Sequence, residues 1–556
     1  VRTVYRRCVV HAPGQAAHGA LAALAVVDGR IAWLGPDDDA PAPGDLPPGE
    51  ASSGEASSGE GPAEARPAGE AGDDVVDLAG ALVTPGFVDA HVHVLETGLA
   101  VTGVDLSAAR SLGEALELVA RAGADAVGGV VLAHGWDESA WPEGRPPTAA
   151  EVERAVGGRA AYLARADLHS AVVTAALADR AGCRDVEGWS DGYVVGAGHE
   201  RAREAIRVGD PARRAALHRA GLAAFARQGV VCVHEHSVEA LDTREGLAAL
   251  LAMTADPASG LPEVIGYRGE LCETQTDARR LAEVIPGLAG VGGDLTVDGS
   301  LGSRTAALRS PYADGDRDAR GDLRLTAEQV ANHVGAVTRA GLQAAFHVIG
   351  DRAMEEVLLG FQAAGDVEGV EALRAATHRL EHAEMMDTPA LARVLLLGLT
   401  VSGQPAFDAL WGGPDGMYAR RLGRVRAGNL NPFADLVAAG VPLAFGSDSP
   451  VTAVDPWGAV RAAVHHHEPE QRLSPLVAFR AHTAAGWRAA RRAETGELRV
   501  GGPATFAAWR PAGGVAGEPS VWVPDPDGAL PDLTEPTSPA CVLAVRNGVV
   551  LHRETA

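Results

Sequence analysis

The chain has 556 residues, 46% hydrophobic and 22% charged, with a formal net charge of −25. That length exceeds one ordinary core and predicts a large domain with a smaller companion, in a composition typical of a soluble globular protein. A surface this acidic repels phosphate backbones and argues against nucleic acid as a partner.

All 48 basic residues are arginine, so no lysine can form a Schiff base or a carbamylated metal ligand. The five cysteines (Cys8, Cys183, Cys232, Cys272 and Cys541) are scattered, odd in number and without CxxC spacing. They argue against a disulfide framework or a structural zinc knot. The apolar run Ala20–Val27 is too short to span a bilayer and ends in the turn signal Asp28-Gly29. With no basic-then-apolar leader in the first residues, the expectation is a cytoplasmic protein without a membrane segment.

Taken in chain order, residues 1–35 alternate in short apolar runs and predict small antiparallel strands. Residues 37–74 are dominated by Pro, Gly, Ser, Ala and Glu, with a direct repeat across Glu50–Glu60, and predict a disordered loop. From Val75 onward, strand candidates alternate with helical stretches. They are Val75–Val94, Ala160–Ser170, Gly229–Ser237, Gly293–Ser300, Leu342–Asp351, His378–Glu384, Leu399–Pro405 and Val441–Pro450. Helices are predicted between them, among others over Pro211–Gln228, Thr326–Ala340 and Ala353–Ala364.

Eight strands alternating with helices predict an α/β fold, a (β/α)8 barrel of the TIM type. A doubly wound sheet gives the same alternation, but nearly every candidate strand ends in His, Asp or Glu, and barrels carry their chemistry at that face. The tail from Thr495 returns to short strands with the texture of the first 35 residues. Both chain ends are therefore expected to pair into one small β-sandwich. The expected domains are 1–83 and 491–556 for the sandwich, and 84–490 for the barrel.

The strongest local signal is Asp89–Val94, "DAHVHV". His91 and His93 lie two apart on a strand, and period-two geometry turns both to one face, where two imidazoles can grip one divalent metal. His347 ends the fifth candidate strand, His382 the sixth and Asp448 the eighth. Each alone has a bland reading, as a core histidine or a helix cap. Their joint occurrence at strand ends points to a metal site, where the pKa of bound water falls from 15.7 to roughly 7.

The segments "GALVTPGFVDAHVHV", "DGSLGSRTAAL", "FHVIGDRA", "HRLEHAE", "SGQP" and "FGSDSPV" follow one another in this chain. In that order it resembles the amidohydrolase superfamily, and within it the amidohydrolase 3 branch that includes N-substituted formamide deformylases. The resemblance runs from about Val9 to the C-terminus, leaving out the Pro/Gly/Ser loop. It implies a barrel with an attached β-sandwich, one or two divalent metals, usually zinc, and admits a homodimer. It also implies His91 and His93 as the first ligand pair, His347 and His382 as further ligands, and Asp448 as the aspartate that binds metal and shuttles the proton.

One position departs from that pattern. Where the branch commonly carries a lysine that bridges two metals once carbamylated, this chain has Asp294. By alternation Asp294, Thr296 and Asp298 share one strand face, so Asp294 is a candidate ligand. In "HEH", His234 and His236 share one face and Glu235 the other, and Glu235 or His236 is an alternative that completes the site. Three arrangements stay open here: one metal without a bridge, a bridge from Asp294 or Glu235, or a degraded second site. The first is favoured.

Three residues are candidates for substrate binding: His169 at a strand end, Arg304 after a Gly/Ser turn, and Gln404 before Pro405. Arg304 is equally suited to holding a carboxylate or pinning its own loop. The catalytic candidates are Asp448 and His382. The expected reaction is hydrolysis of a non-peptide C–N bond in a small molecule (amide, formamide, cyclic amide or imine), with Asp448 accepting and returning the proton. Alternatives are C–O hydrolysis or isomerisation on the same scaffold, or a barrel that has lost its metal.

Overall fold

Apolar runs too short for helices and buried on both faces form parallel strands in the computed structural model, which describes residues 2–13, 21–46, 74–125, 129–207, 209–240, 242–492, 496–513 and 522–554. The chain divides into two units, Val1–Phe87 with Glu494–Ala556, and Val88–Ala493.

The larger unit is built on eight parallel strands: β1 (Phe87–Val92), β2 (Val230–Val238), β3 (Glu263–Gly269), β4 (Gly290–Val291), β5 (Gln343–Val348), β6 (Arg379–His382), β7 (Thr400–Gly403) and β8 (Leu443–Phe445). Each is hydrogen-bonded to the next in chain order. Beyond β8 the circle closes through a parallel bridge between Val92 and Ser449, with Asp448 N donating to His91 O at 2.8 Å and His93 N to Ser449 O at 3.0 Å. Asp89, buried inside the barrel, accepts from Ser447 N (2.8 Å) and His91 N (3.4 Å) and reinforces the seam. The expected helices are present as Pro211–Arg227, capped by Asp210, Ala327–Arg339, with a Thr326/Gln329 capping box, and Asp351–Glu368.

The barrel is therefore as expected, but two of its predicted strands are not. Ala160–Ser170 is no barrel strand. Its residues Ala161–Arg165 belong to a separate six-stranded sheet within 104–195, inserted between β1 and β2. That sheet has its own core, including Trp136, Trp141, Leu163 and Val172. The third stave is instead β3, "EVIGYRG", whose Gly, Tyr and Arg masked it. Gly293–Ser300 is not a continuous strand either. After β4 the chain breaks, and within 293–300 Thr296 alone bridges to His347.

The smaller unit pairs both chain ends. Its strand order is 549–553, 540–546, 506–510, 82–85, 2–10, 22–27, 30–36, with 74–77 also on strand 2–10. A bulge between Tyr5 and Cys8 bends strand 2–10 from one half to the other. The two halves enclose one core, in which Tyr5 meets Phe506 edge-on at 5.1 Å. The turn signal Asp28-Gly29 takes positive φ at both residues (46° and 79°), as a tight hairpin turn requires. Most of the predicted disordered segment, residues 47–73, lies outside the described residues; within it, Asp37–Asp39 and Pro43–Asp45 form short 3-10 turns. No helix among the described residues is long and apolar enough to cross a membrane.

Removing the Asp89 acceptor leaves two buried backbone N–H groups unpaired, so Asp89→Ala is expected to cost about 1–3 kcal/mol. Asp89→Asn keeps an oxygen acceptor and is expected to recover most of that loss. Urea denaturation midpoints measure both. A loss below about 0.5 kcal/mol in Asp89→Ala would assign the seam to backbone pairing alone.

Candidate metal centre

Inward-facing positions of the barrel strands carry the site. On β1, alternation turns Asp89 and His91 inward, and His93 follows at the strand end. On β5, Gln343, Ala345 and His347 form the inward row. Two residues break the alternation. His382 and Asp448 adopt positive φ (68° and 55°), a conformation uncommon outside glycine that concentrates at functional sites. Strict alternation would face His382 away from its neighbour Glu381; the left-handed turn brings its ring back to the centre.

Asp294 reaches the same point from a different geometry. It follows Gly292 and Gly293, both with positive φ. A Cβ on Gly292 would strike the Ala345 carbonyl, and one on Gly293 the His236 ring. Only glycines let the backbone pass this close to β5 and β2.

The side chains converge tightly. Asp294 Oδ2 lies 3.2 Å from His93 Nε2, and its Oδ1 lies 3.4 Å from His91 Nε2, 3.6 Å from His347 Nδ1 and 3.9 Å from His382 Nε2. Asp448 Oδ1 is 3.2 Å from His93 Nε2 and 3.5 Å from His91 Nε2. Charge-assisted hydrogen bonds run to about 2.7–2.9 Å, whereas two donors each about 2.0–2.2 Å from one ion in tetrahedral array sit roughly 3.3–3.5 Å apart.

Each ring is held from behind. His91 Nδ1 donates to Glu381 Oε2 (2.9 Å), His93 Nδ1 to the His236 carbonyl (3.0 Å), His382 Nδ1 to Gln404 Oε1 (2.9 Å) and His347 Nε2 to the Gly299 carbonyl (3.3 Å). Those acceptors fix the ring orientations, so the opposite nitrogens face the centre. His91 Nε2, His382 Nε2, Asp294 Oδ1 and Asp448 Oδ1 are buried without a hydrogen-bond partner. Buried polar atoms are rarely left so, and this donor set suits a divalent metal. Two groupings share Asp294: His91, His93 and Asp294, and Asp294, His347 and His382. A third joins His91, His382 and Asp448.

The electrostatics are correspondingly polarised. Burial acts to lower the His91 imidazole, but Asp448, Asp294 and Glu381 overcome it and raise it to about 9. Burial would raise the Asp294 carboxyl, yet His93, His347, His382 and His91 hold it well below the usual carboxylate range.

The other predicted site residues have varied fates. His169 does reach the centre, from a turn of the inserted sheet rather than from a barrel strand. Its ring lies 5.1 Å from that of His347, and burial, then His347 and Arg324, push its pKa well below the ordinary histidine value. Asp167 anchors that turn by accepting from Ser300 and Ser303 at 2.7 Å. Glu235 is not brought to the metal cluster. It faces out of the barrel, where it accepts from Val94 N (2.6 Å) at the start of helix Val94–Thr102, and burial raises it to about 7. Its partner His236 stacks on His91 at 4.0 Å. Arg304 pins its own loop, pairing with Asp314 at 2.8 Å, and does not line the cavity. Gln404 holds the His382 ring through Oε1, while its Nε2 is buried without a hydrogen-bond partner. Asp298 accepts from the backbone N–H groups of Ala307, Ile349 and Gly350 and braces the loop beside β5.

Sequence reasoning missed Arg379 and Glu381. Both are fully buried on β6; Arg379 bonds Glu381, His234 Nδ1 (2.8 Å) and Ala90 O (2.7 Å) and lies over the Tyr267 ring. The signal was the pair of opposite charges two apart inside a buried strand. Above the centre opens a cavity of about 290 Å³, lined by His93, His169, Asp294, Thr296, Arg324 and His347 among others.

The chain matches the amidohydrolase family over residues 74–551. It is 27% identical over 447 residues to the protein LONG AFTER FAR-RED 3 of Arabidopsis thaliana, covering 75% of each chain. It is 23% identical to N-substituted formamide deformylase of Arthrobacter pascens, over 79% of this chain and 85% of that one. Among solved structures, an uncharacterized metal-dependent hydrolase of Pyrococcus horikoshii OT3 shares the fold with a TM-score of 0.68 at 24% identity, over 91% of this chain and 97% of the other.

If Glu381 sets the His91 tautomer, Glu381→Gln is expected to weaken zinc binding about 10- to 100-fold, read by competition with a chromophoric chelator. Unchanged affinity would remove Glu381 from the metal-holding apparatus.

Proposed function

This chain belongs to the amidohydrolase family, and from that premise we propose that it hydrolyses a non-peptide C–N bond of a small molecule (an amide, formamide, cyclic amide or imine) at this centre. The observation that carries the reading is the convergence of four fastened imidazoles and two carboxylates, with His91 Nε2, His382 Nε2, Asp294 Oδ1 and Asp448 Oδ1 buried without a hydrogen-bond partner, at the floor of a cavity of ligand size.

His91, His93, Asp294 and Asp448 would hold one ion, and Asp294, His347 and His382 a second, beyond the single ion favoured by the sequence. Zinc suits both donor sets, and once bound it supplies Lewis acidity and lowers the pKa of a water toward roughly 7.

The protein's own groups do the rest. Asp448 turns Oδ1 toward His91 and His93, while its Oδ2 lies 4.0 Å from His382 Nδ1. Oδ2 is thus the atom that takes the proton of the attacking water and returns it to the leaving nitrogen as general acid. His169, kept neutral by burial, is placed in the cavity to donate to the substrate's carbonyl oxygen as charge develops on it. Asp167, Leu168 and His169, from the inserted sheet, line one side of the cavity.

Elemental analysis of the purified protein is expected to give about two equivalents of metal per chain. The three-donor set should empty first on mild chelation, and Asp294→Ala should retain at most one equivalent. One equivalent before and after that substitution would restore the single-ion reading; none, even after added zinc, would sink the hydrolase. Asp448→Asn is expected to lower kcat about 10²- to 10⁴-fold on a formamide or amide substrate while keeping its metal. Activity within threefold of the unaltered protein would take Asp448 out of the proton path.

A further inference from the structure

The cavity above the centre measures about 290 Å³, against the roughly 10–15 Å³ that one water needs, so it has room for a small organic molecule. Two guanidinium groups stand in its wall. Arg203 comes from the helix Gly196–Ile206 of the insertion, and Arg324 from the segment between β4 and β5. Arg203 pairs through Nη2 with Glu96 Oε1 at 2.8 Å, and its Nε is buried without a hydrogen-bond partner. The Arg324 backbone is fixed, its N–H donating to Val297 O at 2.8 Å. Its side chain touches Thr296 Oγ1 at 3.3 Å and Glu200 Oε1 at 3.5 Å, both through Nη1. A guanidinium carries five N–H donors. Nη1 of Arg203, and Nε and Nη2 of Arg324, are therefore unspent among the described residues.

The carboxylates within reach do not use up this capacity. Asp167 is spent on Arg165, Ser300 and Ser303, and Glu96 has Arg203 beside it. Glu200 and Glu204, at the mouth, are 58% and 47% exposed, and water screens a pair made by so exposed a group. Both arginines act on the same interior. Burial, then Arg203, hold the His199 imidazole well below the ordinary histidine value, and Arg324 pushes the same way. Two planar donor forks with open positions facing one small chamber match the geometry of a carboxylate.

We propose that Arg203 and Arg324 form a carboxylate-binding subsite, and that the substrate is a small anionic amide whose carboxylate they hold while its scissile bond lies over the metal-facing donors. This rests on the hydrolase reading of the centre and deepens it by naming the charge of the substrate. Thr296, which Arg324 touches, stands two residues after Asp294 and bridges to His347, so the carboxylate sits only a few bonds from the bond that is cut. An analogue with a neutral group in that place cannot pair with the guanidinium groups and binds worse, which is how a site built around fixed polar partners rejects near-isosteres.

The test uses the zinc-loaded protein and two dicarboxylates, succinate and glutarate, each compared with its own monoamide. One carboxylate is common to both members of a pair and is free to meet the centre; the other reads the arginines. Isothermal titration gives the affinities, and N-formylglycine and N-formylglycinamide are assayed for hydrolysis. At least one diacid is expected to bind about tenfold or more tightly than its monoamide, the scale of a charge-assisted hydrogen bond. Arg203→Gln and Arg324→Gln are each expected to shrink that preference, with metal content unchanged, and Arg324→Gln to raise KM for N-formylglycine more than it lowers kcat. Arg324 is partly exposed, so its variant is expected to fold, and the ligand comparison itself needs no variant. Affinities within about threefold for both pairs, or no binding by any of the four ligands, would overturn the subsite. So would a preference that survives both substitutions, because the centre and not the arginines would then be taking the second carboxylate. A loss of Tm in both variants with the preference intact would mark Arg203 and Arg324 as structural ties between insertion and barrel, and would overturn it too. Absence of hydrolysis of both formyl compounds, with the preference for diacids intact, would overturn the hydrolase reading and leave the subsite standing.

Discussion

Polar atoms can be gathered with their lone pairs facing one another only if each is held from behind, and the structure depends on one buried contact set that does this. Arg379 bonds Glu381 on its own strand, His234 on β2 and the Ala90 carbonyl on β1, and its guanidinium lies over Tyr267 on β3. Burial would raise the Glu381 carboxyl, but Arg379, then His236 and His91, hold it well below the usual carboxylate range. An ionised Glu381 can only accept, so His91 carries a proton on Nδ1 and turns Nε2 to the centre. The same bonds join four barrel strands and fix one metal-facing nitrogen. Half of this network cannot be removed cheaply, because the remaining half would be an unpaired buried charge.

The second constraint is reach. Aspartate is far shorter than a carbamylated lysine, so Asp294 could not meet four imidazoles from an ordinary strand position. Gly292 and Gly293 remove the obstacle by bringing the backbone itself against Ala345 and His236. His382 and Asp448 solve a related problem with left-handed backbones. The centre is thus assembled where strands end and regular geometry is abandoned. Strained residues persist there because the surrounding barrel over-determines them.

These features explain what could be read from the residues and what could not. The His91/His93 pair, His347 and Asp448 were legible because period-two alternation and strand-end position are local properties. His382 was found at its strand end, but its orientation depends on a positive φ that no pattern announces. Ala161–Arg165 read as a barrel stave because a short buried strand looks alike in any parallel sheet; only its partners show that it lies in the insertion. β3 escaped because Tyr267, under the Arg379 guanidinium, and Arg268, paired with Glu270, dilute its apolar run, and β4 because two residues carry no period at all. Arg304 and Gln404 were singled out as groups able to hold a ligand. Arg304 instead spends that capacity on Asp314, and Gln404 gives its Oε1 to His382 while its Nε2 stays without a partner; such pairing is settled by tertiary neighbours.

The insertion that confused the strand count has a consequence for how such a site changes. The metal-facing donors all come from the barrel strand ends and the loops that directly follow them, and they are tied to one another through Arg379, Glu381 and the β1–β8 seam. His169 and Asp167 come instead from a sheet with its own hydrophobic core, and Phe407, Trp411 and Tyr418, which follow β7, pack beside the His382 ring. Substitutions in those peripheral segments can reshape what enters the cavity without touching the bonds that set the imidazole tautomers. The barrel confines the metal-facing donors to a fixed core, while part of the surrounding wall comes from segments that interrupt or follow its strands.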